Sequence, residues 1–387
     1  MNVIFFNSET LVTRELIAAL KKKKYIRLIL INIPSSPNPQ LAQTIVDKFK
    51  EYTPALVFSI NDAGYDIEGK LHDLVVSSGS YQINWYHDYP FFDTIFKKRP
   101  YPLSGRRIDF VSELSYVNVL RSKGFNSFFL PLATDPFYFN IEEPRIPERD
   151  IAFVGNSSYL LMDSILSEEL TREIERFGEL FLTVKNAYNE DCQFSVRQYL
   201  IDNQHIWKKT ILIPSDTFIF GMEWMVGYIC RRDFLVTIAR TYKKSFMLFG
   251  DPYWTHFINK DQVSADACYY DTLCHYYRTT KINLNINRIQ IHTSFTQRHF
   301  DCKACGAFLL TDKRLCISKY FVTEGSQKEI VEFESLQHCH ELIKYYLKHE
   351  EERENIAIRG REKILNNHTY TNRIEEIISI CKKEWGI

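Results

Sequence analysis

The chain has 387 residues, of which 45% are hydrophobic and 25% charged, so it is long enough for two domains and is not a disordered protein. Its 48 basic and 48 acidic residues cancel, which argues against a nucleic-acid-binding protein that depends on net positive charge. No targeting segment and no apolar run of about 18 residues is found. All nine cysteines lie at or beyond Cys192, which favours a reduced, cytoplasmic protein over a disulfide framework.

The first half of the chain alternates apolar strands with amphipathic helices. This alternation predicts repeated βαβ units and an open, doubly wound parallel sheet, which binds ligands at the carboxyl ends of its strands. The predicted strands are Val3–Phe6, Arg27–Ile33, Ala55–Ile60, Tyr81–Tyr86, Ile108–Val111 and Ser127–Leu132. The helices predicted between them are Ser8–Leu20, Leu41–Phe49, Ile67–Val76 and Tyr116–Lys123.

Two prolines and four charged residues interrupt this pattern in Ile141–Glu148, which we interpret as a linker. Residues 1–145 are therefore expected to form one Rossmann-like domain and residues 149–335 a second. The strands predicted in the second domain are Arg149–Gly155, Phe246–Phe249, Ile282–Ile286, Phe308–Leu310 and Ile330–Phe333.

A stretch of helical periodicity, residues 160–244, interrupts the second domain and predicts a mostly helical insertion, with a possible strand or two near Leu180 and Ile211. Residues 336–387 are expected to form helices that pack back across a cleft between two α/β domains.

The segment Lys281–Asp312 carries the most informative chemistry. A strand is followed by a helix that begins near Ser294 and places Arg298 and Asp301 on one face. A helix N-terminus and an arginine together suit a diphosphate, and a carboxylate one turn further on could bind a ribose diol. The alternative interpretation is a capped helix with a surface Arg–Asp pair.

Six segments, in chain order, resemble motifs of one protein family. They are WYHDYP (Trp85–Pro90), YVNVLRSKGFNSFFLPLATDP (Tyr116–Pro136), DIAFVGN (Asp150–Asn156), FMLFG (Phe246–Gly250), the segment Lys281–Asp312 and RGREKILNNHTYTNR (Arg359–Arg373). Together they resemble the group 1 glycosyltransferases, in particular their CgeB-like (spore maturation protein) branch. Residues 160–230 have no counterpart in this pattern.

The resemblance implies a GT-B fold, with two facing Rossmann-like domains that bind the acceptor in the first domain and a nucleotide-sugar donor in the second. It also assigns donor-binding positions. Asp301 takes the place of a glutamate that contacts the ribose, Arg298 and the turn Gly155–Asn156 approach the diphosphate, and Gly250 lies near the base. Arg278 and Lys281 are further phosphate candidates.

Two departures from the family pattern stand out. Many relatives carry two glutamates eight positions apart, and the first contacts the transferred sugar. Here the first position is Thr293 and the second is Asp301. The stereochemistry of transfer and the identity of the sugar therefore cannot be carried over.

His87 and Asp88 follow a predicted strand of the first domain and are the candidate catalytic residues. Transfer needs a carboxylate or imidazole to take the acceptor's proton, and either residue could act while the other positions the sugar. The alternative is that Asp88 caps the next helix.

No metal site is expected, because no Asp-x-Asp pair lies at a predicted strand end. Cys302 and Cys305 form a lone C-x-x-C pair within a helix and are interpreted as structural.

These observations predict a metal-independent glycosyltransferase without a cofactor. The expected donor is a nucleotide diphosphate sugar, a UDP-sugar first, and the expected acceptor is a hydroxyl of a glycan, a lipid-linked molecule or a protein. One alternative is a non-catalytic sugar-nucleotide-binding or assembly protein. Another is a nucleic-acid glucosyltransferase, which the zero net charge disfavours.

Overall fold

The computed structural model describes residues 1–34, 39–66, 68–91, 104–140 and 146–387. The chain divides into two compact units. Unit 1 comprises Met1–Asp135 together with Asn367–Ile387, and unit 2 comprises Pro136–Asn366. The first boundary between the two units, after Asp135, therefore lies before the predicted linker Ile141–Glu148. Residues 141–145 of that linker lie outside the described residues. The predicted helical tail is shared, because its first part belongs to unit 2 and its last helix to unit 1.

Unit 1 contains a six-stranded, wholly parallel sheet in the order β2-β1-β3-β4-β5-β6. Its strands are β1 (Asn2–Asn7), β2 (Arg27–Asn32), β3 (Leu56–Ile60), β4 (Tyr81–Tyr86), β5 (Arg107–Val111) and β6 (Ser127–Phe129). Its helices include α1 (Thr13–Lys21), α2 (Pro39–Tyr52), α3 (Lys70–Ser77) and α4 (Leu114–Ser122). All six strands predicted for this half of the chain are present.

These strands could be predicted from the sequence because buried strands are continuous runs of apolar residues. Every residue of β3 and β5 is buried, as expected for central strands of a parallel sheet covered on both faces. The chain moves from β1 to β2 on one side and later to β3 on the other side of β1. The sheet therefore has a topological switch point between β1 and β3, where ligands bind in this class of fold.

Unit 2 contains a second parallel six-stranded sheet, in the order β12-β11-β10-β7-β8-β9. Its strands are β7 (Arg149–Val154), β8 (Phe246–Phe249), β9 (Val263–Ser264), β10 (Thr280–Asn285), β11 (Leu309–Asp312) and β12 (Val331–Phe333). Only β9, with two residues, was not predicted. The switch point of this sheet lies between β7 and β10.

The helical insertion lies between β7 and β8. It consists of α5 (Tyr159–Ile165), α6 (Glu168–Arg176), α7 (Gly178–Glu190), α8 (Val196–Asp202), α9 (Gln204–Trp207) and the 28-residue α10 (Ser215–Tyr242). These helices bury a core of their own that includes Trp207 and Phe218. The strands considered near Leu180 and Ile211 do not form. Leu180 is buried within α7, and Ile211 packs against the helical core from a turn.

The remaining helices of unit 2 are α11 (Leu273–Arg278), α12 (Gln297–Ala304), α13 (Ile317–Tyr320), α14 (Leu336–Lys348) and α15 (Glu350–Asn367). The chain then returns to unit 1 as α16 (Tyr370–Trp385). No helix among the described residues is long and apolar enough to cross a membrane.

Helix α16 is fastened to unit 1 by a buried arginine. Arg373 is 3% exposed, and its guanidinium donates to the carbonyl of Pro131 at 2.7 Å and to that of Leu132 at 3.1 Å. It also lies 3.0 Å from Nδ1 of His368. Since these carbonyls follow β6, the arginine connects the last helix of the chain to the last strand of the sheet.

We predict that Arg373→Met destabilises the protein by about 3 kcal/mol, because it leaves buried carbonyl groups without a donor. Urea denaturation measures the loss. Lys382→Met, an exposed change on the same helix, should alter the free energy of unfolding by less than about 0.5 kcal/mol. Equal effects of the two changes would show that Arg373 does not fasten the helix.

Candidate functional site

The switch point of unit 2 places two loops side by side. Strand β7 ends at Val154 and continues into Gly155 and Asn156. Its neighbour β10 ends at Asn285 and continues into a loop that includes Arg288. Because the two strands are parallel, both loops lie at the carboxyl edge of the sheet, where this class of fold binds its ligands.

Two arginines stack on one phenylalanine at this edge. Arg231 reaches it from α10, and its guanidinium carbon lies 5.0 Å from the centre of the Phe153 ring. Arg298 reaches it from the first turn of α12 and lies 5.5 Å from the same ring. Arg231 also donates from Nη1 to the carbonyl of Asn156 at 2.9 Å. The turn after β7 is thus bordered by two guanidinium groups.

A third cation, Arg288, belongs to the same cluster, and its charge acts on both of the others. Burial holds the pKa of Arg231 well below its usual range, and repulsion from Arg288 and Arg298 lowers it further. Burial likewise lowers the pKa of Arg298. Among the described residues, neither Arg231 nor Arg298 has a salt-bridge partner, and Nε of Arg231 has no hydrogen-bond partner. We call these three residues the arginine cluster. It has the charge and the donors of an anion-binding site.

A buried polar network holds Arg298 in place. Its Nε donates to Oδ1 of Asn285 at 2.8 Å, and the amide of Asn285 donates to Thr311 Oγ1 at 2.9 Å. Asn287 donates from both its backbone and side-chain nitrogens to Asp312, which pairs with Arg314. The carboxyl ends of β10 and β11 are therefore joined by side chains as well as by the sheet.

His299 completes this network from α12. Thr296 N–H donates to its Nδ1 at 3.1 Å, and its Nε2 lies 3.1 Å from Thr311 Oγ1. Burial, with repulsion from Arg298, lowers the pKa of His299 to about 3. The ring is therefore neutral at physiological pH, with the proton on Nε2, and it fixes the start of the helix that carries Arg298.

Asp301, the predicted ribose ligand, lies on α12 but is only 1% exposed. The hydroxyl of Tyr269 donates to its Oδ2 at 2.6 Å, and Gln297 donates to its Oδ1 at 3.0 Å. Tyr269 packs edge-on against Phe139 and Tyr270. In this structure both oxygens of the carboxylate are therefore occupied by protein donors.

Gly250 has a packing role that differs from the predicted one. A Cβ on Gly250 would lie 2.4 Å from the carbonyl oxygen of Gly155 and 2.9 Å from Cδ1 of Trp254. The indole N–H of Trp254 donates to that same carbonyl at 2.8 Å. The absence of a side chain at Gly250 thus lets β8 and the turn after β7 approach each other.

Lys281, a second-line phosphate candidate together with Arg278, lies apart from the arginine cluster. It lies at the start of β10 and pairs with Asp150 at 2.8 Å, at the amino edge of the sheet. Five residues of β-strand, about 16 Å, separate Asp150 from Gly155 at the other edge. Arg278 ends α11 just before this amino edge, so neither residue joins the arginine cluster. Thr293 lies in the loop between β10 and α12, where its carbonyl accepts from Cys316 N–H at 2.8 Å.

In unit 1, His87 and Asp88 follow β4 and are held by one residue after β3. Asn61 accepts from His87 N–H at 2.9 Å and donates to Asp88 Oδ2 at 2.8 Å. Burial lowers the pKa of His87 to about 3, and its Nε2 has no hydrogen-bond partner. Asp88 is exposed. Tyr89, Pro90 and Phe91, where the helix capped by Asp88 was expected to begin, are not helical, and residues 92–103 lie outside the described residues.

Within the described ranges, no three His, Cys, Asp or Glu side chains are grouped so that they could hold a metal ion. Cys302 and Cys305 are buried and form no disulfide bond among the described residues, and the thiol of Cys305 donates to Sγ of Cys274 at 3.0 Å.

Comparison with known proteins identifies the architecture. Residues 231–379 match the model of a glycosyl transferase-like family. A glycosyltransferase structure from Rickettsia africae ESF-5 aligns over 99% of this chain and 98% of its own, with 11% identity and a TM-score of 0.54. The structure of Anabaena Alr3699/HepE in complex with UDP-glucose aligns over 99% and 100%, with 11% identity and a TM-score of 0.51. No curated protein matches the chain in sequence.

The fold is that of the GT-B glycosyltransferases. Two parallel six-stranded sheets, a helical insertion and C-terminal helices confirm the predicted fold class. The predicted enzyme class, glycosyltransferase, is confirmed by the family match together with the fold. The match covers the stretch from α10 to α16, which contains Arg231, Arg288 and Arg298.

The sequence analysis missed two members of the arginine cluster. Arg231 lies far from Arg298 in the sequence. The residues around it in α10 are mostly apolar, so the sequence predicts a packing role for this helix. Arg288 follows the end of a predicted strand, where ligands bind in parallel sheets. That position is the one feature of the sequence that could have identified it as a site residue.

We predict that the free energy of unfolding decreases as the pH is lowered below 6.5, because the unfolded chain then binds protons that the folded protein accepts at His299 only near pH 3. The loss due to His299 at pH 5 is about 2 kcal/mol. Urea denaturation at pH 7 and pH 5 measures it. His299→Gln should reduce the dependence on pH, and His87→Gln gives the matched comparison in unit 1. An unchanged dependence in His299→Gln contradicts the prediction.

We predict that Gly250→Ala destabilises the protein by about 1 to 3 kcal/mol without any nucleotide present, because its Cβ would overlap the Gly155 carbonyl. Gly178→Ala is the control, because a Cβ there meets nothing within 4 Å. If Gly250→Ala unfolds like the wild type but loses nucleotide affinity, Gly250 faces the base as the family resemblance implies.

Proposed function

We propose that this protein transfers a glycosyl group from a nucleotide diphosphate sugar to an acceptor hydroxyl, and that the arginine cluster binds the diphosphate. The cluster is the observation that carries the proposal. It brings three arginines to the switch point of a GT-B unit, two of which, Arg231 and Arg298, have no salt-bridge partner among the described residues, and a polyanionic ligand would relieve their mutual repulsion.

Glycosyl transfer requires positive charge next to the diphosphate that leaves. The acceptor oxygen forms a bond to the anomeric carbon while the bond from that carbon to the diphosphate breaks, and its electron pair leaves with the diphosphate. Guanidinium groups aimed at the departing phosphate oxygens stabilise the charge that develops there. The same cations supply the positive charge that a divalent metal provides in other transferases, so we propose a metal-independent reaction.

UDP is the nucleotide to test first, because the Anabaena structure holds UDP-glucose. In our proposal, Asp301 contacts the ribose once the hydroxyl of Tyr269 or the amide of Gln297 gives up its hydrogen bond. The resemblance to the CgeB-like branch is kept as part of the proposal, and it rests on the motifs alone.

For the acceptor we propose a role for the carboxylate of Asp88, which is exposed and oriented by Asn61. It would take the proton that the acceptor hydroxyl loses as the new bond forms. His87 is the weaker base, because its side chain is buried and burial lowers its pKa to about 3.

A non-catalytic sugar-nucleotide-binding protein is the second candidate. Thr293 stands where many relatives have a glutamate that contacts the sugar, and a hydroxyl cannot provide the same charge. Detection of free UDP released from UDP-sugars separates the two functions, because a binding protein holds the donor without breaking it.

We predict that Arg298→Met raises the dissociation constant of UDP about 10- to 100-fold, because it removes charge-assisted hydrogen bonds to phosphate. Isothermal titration calorimetry without added metal measures the constant. Lys281→Met is the matched control, since this lysine is paired with Asp150 at the opposite edge of the sheet and should leave the affinity unchanged. Thermal unfolding confirms that both variants are folded.

The opposite pattern, a loss of affinity in Lys281→Met and none in Arg298→Met, would place the diphosphate at the amino edge and overturn the proposed site. If the wild type binds UDP but releases none from any UDP-sugar, the second candidate is correct.

A further inference from the structure

Two cysteines of unit 2 bring their sulfur atoms close together without forming a disulfide. Cys274 lies in α11 and Cys305 directly follows α12, and these two helices pack against each other. The thiol of Cys305 donates to Sγ of Cys274 at 3.0 Å, which is about 1 Å longer than the bond of a disulfide. A small movement of the two side chains is therefore enough to bring the sulfurs to bonding distance.

Hydrogen bonds orient both sulfurs of this pair. Cys274 donates its own hydrogen to the carbonyl of Asn140 at 3.2 Å, which turns the lone pairs of its sulfur toward the thiol of Cys305. Cys268, in the same segment of chain, donates instead to a carboxylate oxygen of Asp271 at 3.0 Å. Of these two cysteines, Cys274 is therefore the one that is positioned to react with Cys305.

The two thiols differ in exposure, and this difference sets the order in which they react. Cys305 is 1% exposed, and burial raises the pKa of its thiol well above the usual range. Cys274 is partly exposed. Because a thiolate attacks an oxidant and a thiol does not, oxidation begins at Cys274, and Cys305 reacts second.

The segment that carries Cys274 contacts α12 a second time, through Tyr269. The hydroxyl of Tyr269 donates to Asp301 at 2.6 Å. Asp301 precedes Cys305 by about one helical turn, so the two contacts lie on the same face of α12. Between them, Thr272 accepts a hydrogen bond from the N–H of Cys268 at 2.8 Å, which holds the connecting turn together. A covalent bond at one contact therefore restrains the other.

We propose that Cys274 and Cys305 are a site of reversible covalent modification: a small-molecule disulfide such as oxidised glutathione converts them to an intramolecular disulfide, and this cross-link weakens nucleotide binding. The part that concerns the nucleotide rests on the proposed function. The cross-link holds the segment of Tyr269 on α12, so Oδ2 of Asp301 stays occupied. The ribose diol is then left with one oxygen of the carboxylate instead of two.

The modification proceeds by two thiol–disulfide exchanges. The thiolate of Cys274 attacks one sulfur of oxidised glutathione, the S–S bond of glutathione breaks, and one glutathione leaves as a thiolate. The sulfur of Cys305 then attacks Sγ of Cys274 and displaces the second glutathione. The two glutathione thiolates take up the two protons that the cysteines lose, and the two electrons that the cysteines lose reduce one molecule of oxidised glutathione. The same steps in reverse restore both thiols.

Counting thiols tests the cross-link. The protein is equilibrated with oxidised glutathione or with a dithiol reductant, denatured in N-ethylmaleimide and weighed by mass spectrometry, and peptide mapping locates the bond. All nine thiols should be alkylated in the reduced protein and two fewer in the oxidised protein. Cys268→Ser, an exposed change in the same segment, should still form the bond, whereas Cys274→Ser and Cys305→Ala should each lose it. A full set of alkylated thiols after oxidation, a bond between Cys305 and Cys302, or a glutathione adduct that persists at Cys274 overturns the inference.

Titration calorimetry with UDP tests the consequence. The oxidised protein should bind UDP about tenfold more weakly than the reduced protein, because one hydrogen bond to the ribose is lost. Tyr269→Phe removes the hydroxyl that occupies Asp301, so the oxidised and reduced forms of this variant should bind UDP equally. Cys268→Ser is the matched control and should keep the difference between the two forms. Equal affinities of oxidised and reduced wild type would refute the effect on nucleotide binding.

The two measurements separate this inference from the proposed function. The thiol count needs no nucleotide, so it decides whether the cross-link forms even if the protein binds no UDP. Absence of both UDP binding and turnover in the reduced protein refutes the proposed function. A cross-link that leaves UDP binding unchanged refutes the inference alone.

Discussion

The arginine cluster concentrates positive charge where burial removes the water that would otherwise solvate it. Arg231 and Arg298 both lie against the ring of Phe153, and the charge of a third arginine, Arg288, acts on both of them. Such an arrangement raises the free energy of the folded protein unless the surrounding structure holds it. Several residues of unit 2 near the switch point hold the cluster in place. Asn285, Thr311 and His299 position Arg298, while α10 carries Arg231. A bound polyanion would neutralise the cluster, so occupancy of the site and stability of unit 2 should be linked.

The two units differ both in strand order and in the side chains at the carboxyl edge of the sheet. Each is parallel and has a switch point, so each offers loops at a carboxyl edge. Unit 2 places guanidinium groups at that edge, whereas Asn7, Glu9 and Asn32 lie at the carboxyl ends of β1 and β2 in unit 1. Both sheets have six parallel strands, but the switch point lies between the first and third strands of unit 1 (β1 and β3) and between the first and fourth strands of unit 2 (β7 and β10).

Much of the architecture was accessible from the sequence because buried parallel strands are continuous apolar runs, as in Arg27–Ile33 and Ala55–Ile60. The strands considered near Leu180 and Ile211 were wrong because these side chains instead supply the core of a helical insertion. At the site, Arg298 was found because it lies on a helix whose start is visible in the sequence. Arg231 could not be found, since only the folded path of α10 brings it to Phe153. The location of Lys281 at the amino edge, away from Arg298, could not be predicted, because a position close to a strand in the sequence does not reveal at which end of the strand its side chain lies.

The return of the chain to unit 1 has a consequence for how the protein is made. Residues 1–135 leave the ribosome first, but their unit is completed by α16, which is synthesised after the whole of unit 2. Until then, the carbonyls of Pro131 and Leu132 lack the guanidinium of Arg373 that they bind in the finished protein. The nascent first unit therefore lacks its last helix while some 230 residues of unit 2 are synthesised. Because the chain is synthesised from its N-terminus, unit 1 can reach its complete structure only after α16 has been made.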